Sequence, residues 1–76
     1  MTANAHTLDA RGLNCPLPIL RTRKAIAGLD SGEVLEVAAT DPGSVKDIDS
    51  FCRQTGHKLL SSDESGGSYL FRIRKA

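Results

Sequence analysis

The chain has 76 residues and a net charge of +1, so it is one domain at most, with a core of marginal size, because chains this short bury only about 60% of their unfolded surface. Such a core leaves no space beside it for a large enclosed substrate cavity, so any chemistry belongs on the surface or in a shallow groove. Near-neutral charge and only three aromatic residues, Phe51, Tyr69 and Phe71, argue against direct binding of nucleic acid, a base-stacking platform or an acidic membrane surface.

No apolar run approaches the roughly 20 residues of a membrane span. Met1 to Thr7 lacks a secretory core. The expectation is a single cytoplasmic domain over residues 1–76, ordered from about residue 6 to residue 75. Two cysteines in such a protein point to chemistry or burial and not to a structural disulfide.

In chain order, His6 to Ala10 reads as a short strand and Arg11-Gly12-Leu13-Asn14 as a tight loop. A helix then starts, with Cys15 at the cap, Pro16 at the first helical position, and Ile19, Leu20, Ile26 and Ala27 on one face. Gly28 closes it. Glu33 to Ala39, rich in Val and Leu, reads as a buried strand. Asp41-Pro42 repeats the helix-start signal, and Val45, Ile48, Phe51 and Cys52 follow at helical spacing until Gly56. His57 to Ser62 is a third strand, and Asp63 to Gly67 is a polar turn. Ser68 to Arg74 alternates as a fourth strand, with Tyr69, Phe71 and Ile73 on one side.

Strands joined through helices are expected to run parallel, and the last two strands form a hairpin. The economical architecture is an α/β two-layer sandwich in β-α-β-α-β-β order. Its four-stranded mixed sheet carries both helices on one face.

Cys15 is the candidate nucleophile. Pro16 and Pro18 in one first turn specify a rigid helix start, and Pro18 has no N–H to offer. Leu17 N–H is then the expected backbone donor to the Cys15 sulfur. The helix dipole adds partial positive charge, and Arg11, Arg21, Arg23 and Lys24 lie nearby in sequence. Together these features predict a lowered thiol pKa. The alternative is a cysteine that caps a helix and does nothing else.

The run Leu8-Asp9-Ala10-Arg11-Gly12-Leu13-Asn14-Cys15-Pro16-Leu17-Pro18 resembles the signature of the TusA/SirA sulfur-carrier family. A second block, Asp41-Pro42-Gly43-Ser44 with Asp47-Ile48 and Phe51-Cys52, is similar to that family's second helix. The resemblance extends from about His6 to Lys75. It implies the same two-layer fold and a persulfide relay. Cys15 would take sulfane sulfur from a cysteine desulfurase or rhodanese-type donor and pass it to a downstream acceptor protein. In this family the relay serves tRNA 2-thiouridine synthesis, oxidative sulfur metabolism or molybdenum-cofactor assembly. It implies no cofactor beyond the covalent persulfide.

Other residues carry weaker signals. Cys52 lies on the apolar face and reads as core, with a Cys15–Cys52 redox pair as the competing reading. Arg21, Arg23 and Lys24 form either a solvated helix face or a docking surface for acidic partner rims. Arg23 is the best placed, two turns along on the Ile19 side. Asp41 reads as a helix cap that parallel strands would bring to the same rim as Cys15. His6 and His57 lack metal-ligand spacing to either cysteine. A non-catalytic adaptor using the basic helix face is the remaining alternative.

Overall fold

The computed structural model describes residues 5–76. Six elements follow one another: β1 (Ala5–Ala10), α1 (Leu17–Ala27), β2 (Val34–Ala39), α2 (Ser44–Thr55), β3 (Lys58–Ser65) and β4 (Ser68–Arg74). The sheet order is β1-β2-β4-β3. β1 runs parallel to β2, and β4 runs antiparallel to both β2 and β3. β2 and β3 therefore point the same way on either side of β4, as strands joined through a helix should.

Alternation builds the core. Leu35, Val37 and Ala39 of β2 and Phe71 and Ile73 of β4 are buried on one face of the sheet. Ile26 of α1 and Ile48, Phe51 and Cys52 of α2 close over them in a single cluster. Fully burying a side chain such as Phe71 contributes about 1.5–3 kcal/mol. The other face is solvated. There Glu36 and Arg72 sit opposite each other and pair at 3.3 Å, and Leu70 is exposed.

The helices differ from the sequence pattern in which residues they bury. In α1 the buried stripe is Pro18, Thr22 and Ile26, one residue every four. Ile19 is half-buried, while Leu20 and Ala27 face solvent. Thr22 is tolerated inside because its hydroxyl donates to the Pro18 carbonyl at 2.8 Å. In α2 Ser44 is buried and Val45 exposed, so the stripe begins one residue earlier than expected.

Both helix starts are also displaced. The cap of α2 is Gly43 and not Asp41, whose carbonyl instead accepts the Ser44 N–H at 3.0 Å. Gly56 ends α2 in the left-handed conformation, at φ 84°. β3 runs three residues beyond the expected Ser62, past an irregularity between Leu59 and Ser61. The polar residues Asp63 to Ser65 are strand, because the two-residue Gly66-Gly67 turn takes positive φ at both positions and lets the strands pair right up to it. Among the described residues no helix is long and apolar enough to cross a membrane.

Candidate functional site

Register places the site. Ala10 pairs with Ala39, so β1 and β2 end level and their following loops leave the sheet at one edge. The Gly12 N–H donates to the Thr40 hydroxyl at 2.9 Å and ties the two loops together. Gly12 holds φ +82°, a conformation that side chains resist. Just upstream, the Arg11 guanidinium grips both oxygens of Asp9 at 2.9 and 3.0 Å, and the Arg11 N–H adds a third bond at 3.1 Å. These bonds hold the Asp9 carboxyl down at about 2.

The chain enters α1 through a turn over Asn14 to Leu17, with a cis Cys15–Pro16 peptide. This corrects the expected cap. Pro16 occupies that position, no side chain caps the helix, and Cys15 lies one residue outside it. The Leu17 N–H donates to the Asn14 carbonyl at 2.8 Å, so it is not available to the sulfur. Pro16 shapes the turn, and Pro18 anchors the first helical turn in the core.

Cys15 is exposed, and its thiol donates to Asp47 Oδ2 on α2 at 3.5 Å. The expectation of a lowered pKa is overturned. The thiol is pushed up, first by its hydrogen bond to Asp47, then by partial desolvation, then by the negative charges of Asp47 and Asp41. The physical reason is that the local donor is already used and the charges closest to the sulfur are carboxylates. A thiol beside an anion ionises less readily than one in water.

The sulfur sits where α1 and α2 both begin, at the end of an open groove of about 300 Å³ between them. Pro16, Ile19 and Arg23 form one wall, at three- and four-residue spacing along α1. Asp47, Ser50, Phe51 and Gln54 form the other, at the same spacing along α2. Arg23 bridges the walls, its guanidinium carbon 5.0 Å from the centroid of the Phe51 ring. Arg21 and Lys24 are exposed and do not line the groove. Asp41 lies close enough to bias the thiol, and a Cβ at Gly43 would come within 3.0 Å of its Oδ2.

The sequence places Asp41 on one rim with Cys15 and Arg23 two turns along α1, but it assigns Asp47 no role. A signal for it existed. Asp47 stands three residues after Ser44 and four before Phe51, beside the apolar stripe of a helix that begins on the same edge as Cys15.

Cys52 is buried, and desolvation is the main cause raising its thiol, with Asp49 second. His57 stacks near Phe51 with ring centroids 5.4 Å apart, and its Nδ1 accepts the Ala76 N–H at 3.0 Å, which is a structural role. Among the described residues no three His, Cys, Asp or Glu side chains gather as a metal site.

The profile of the family described as sulfurtransferase TusA matches residues 6–75. A sulfur carrier protein TusA from Allochromatium vinosum is 59% identical over 69 residues, which cover 91% of each chain. A sulfur carrier protein TusA from Pseudomonas entomophila is 51% identical over 91% of this chain and 86% of its own. The crystal structure of a SirA-like protein from Desulfitobacterium hafniense superposes with a TM-score of 0.80 at 27% identity, covering 90% of this chain and 93% of that one. The match to the family profile spans both the groove and the Cys15-Pro16-Leu17-Pro18 run at its end, and the chain belongs to the TusA/SirA family of sulfur carriers.

Proposed function

We propose that this sulfur carrier holds its cargo as a persulfide on Cys15. A cysteine desulfurase or a rhodanese-type protein supplies the sulfane sulfur, and a downstream acceptor protein of a tRNA 2-thiouridine relay or of oxidative sulfur metabolism receives it. The observation that carries this reading is the position of Cys15. It is an exposed thiol at the tip of a two-helix edge, beside an open groove, in a domain too small to enclose a substrate. A sulfur so placed enters the active site of another protein, and partner enzymes supply the remaining chemistry. Arg23, in the groove, and Asp41, near the sulfur, would meet those partners, while Arg21 and Lys24 would extend the contact along α1.

The competing disulfide cycle between Cys15 and Cys52 finds no support in the geometry, because Cys52 is only 4% exposed within the core cluster. The test is intact-protein and peptide mass spectrometry after incubation with a desulfurase plus cysteine, or with a rhodanese plus thiosulfate. The wild-type chain gains the mass of one sulfur on the Cys15 peptide, and Cys15→Ser gains none. Retention of the adduct in Cys15→Ser would overturn the assignment.

A further inference from the structure

The contact between Cys15 and Asp47 joins the start of one helix to the first turn of the other, and among the described residues it is the only side-chain hydrogen bond of the sulfur. Its chemistry depends on whether Cys15 is loaded. An empty thiol has a proton to donate to the Asp47 carboxylate. A persulfide has none on Sγ, and its terminal sulfur is a stronger acid than a thiol, so that sulfur is anionic near neutrality. The carboxylate that attracts the empty form therefore repels the loaded form. The charged groups facing Cys15 are Asp47 and Asp41 on the α2 side and Arg23 on the α1 side of the groove. Release from Asp47 leaves the Arg23 wall as the favourable side for an anion.

We propose that Asp47 is a positioning residue for sulfur transfer, which latches the empty Cys15 thiol against α2 and releases the sulfur once it is loaded. This deepens the persulfide reading above and rests on it. In loading, Cys15 gives up its proton, and its thiolate attacks the terminal sulfur of the donor persulfide. A new S–S bond forms on Sγ while the donor S–S bond breaks. The electron pair stays on the donor cysteine sulfur, which takes up a proton, so the exchange involves no net oxidation. The latch keeps the empty carrier unreactive toward stray disulfides and electrophiles, because the thiolate is the attacking form. A docked donor must break the Asp47 contact before transfer proceeds.

The test is the pH profile of Cys15 alkylation by iodoacetamide, read on the Cys15 peptide, for the wild type, Asp47→Asn and Asp47→Glu, in empty and persulfidated forms. Removing one unit charge about 4 Å away raises the thiolate fraction about fivefold near neutral pH. The alkylation rate then rises only about twofold, because nucleophilicity falls with pKa. Asp47→Asn therefore lowers the midpoint by about half a pH unit or more, Asp47→Glu keeps it near the wild-type value, and the loaded forms differ less among the three than the empty forms do, because the released sulfur lies farther from residue 47. An unchanged midpoint in Asp47→Asn would overturn the latch, and so would an equal effect on empty and loaded forms. Failure of the persulfide reading is separable, because the wild-type protein would then gain no sulfur at Cys15 whatever the profile of its empty form.

Discussion

At Cys15 two effects of opposite sign compete. A helix start favours an anion, while a neighbouring carboxylate opposes one. The carboxylate prevails because the turn uses the Leu17 N–H internally and sets the sulfur outside the helix, within reach of Asp47. The same loop shows the opposite case. Asp9 is gripped by the Arg11 side chain and backbone, and its carboxyl falls from 3.8 to about 2. The folded chain thus binds that proton less readily than the unfolded chain does. The contact's contribution to stability is full above the ordinary value of 3.8 and is lost as the pH falls through about 2. A carbonyl carbon NMR titration should find the Asp9 midpoint near 2 and should see it return toward 3.8 in Arg11→Ala. An Asp9 midpoint unmoved by that substitution would show that the loop is not braced this way.

Among the elements, α2 does the most to place the site, since Asp47, Phe51 and Gln54 reach the groove from one of its faces. Its end is fixed by Gly56 at φ 84°. Gly56→Ala forces a side chain into the left-handed region, where nothing blocks the Cβ but the backbone conformation itself costs about 1–2 kcal/mol. Urea unfolding should show that loss as a lower midpoint with an unchanged slope. An unchanged midpoint would mean that the helix end relaxes. Element types and their order were legible in the sequence, because alternation in Ser68–Arg74 and the Gly56 and Gly66-Gly67 punctuation are local signals. The helix starts were not. Asp41-Pro42 and Cys15-Pro16 carry capping chemistry, yet both helices begin later, after a turn closed by a backbone bond. Propensity marks the neighbourhood of such a boundary, and turn geometry decides the residue.

Across the whole molecule, parallel pairing of β1 with β2 is what makes a site at all. It brings the loops after Ala10 and Ala39 to one edge and starts both helices there, so residues far apart in sequence, Cys15 and Asp47, meet. Cys15 and the shared rim with Asp41 followed from topology read in the sequence. The Asp47 contact and the Arg23–Phe51 stack did not, because they depend on how α1 and α2 pack, which no local pattern encodes. A domain of this size leaves the Cys15 sulfur exposed at a tip, where the proposed relay would need partners for the remaining chemistry. The most direct measurement of that role is an isotope chase. The chain is loaded with labelled sulfane sulfur, purified free of donor, and mixed with a downstream acceptor protein. The label should leave the Cys15 peptide and appear on an acceptor cysteine, with none carried by Cys15→Ser. Label that stays on Cys15, or reaches the acceptor equally well through Cys15→Ser, would contradict a relay through this residue.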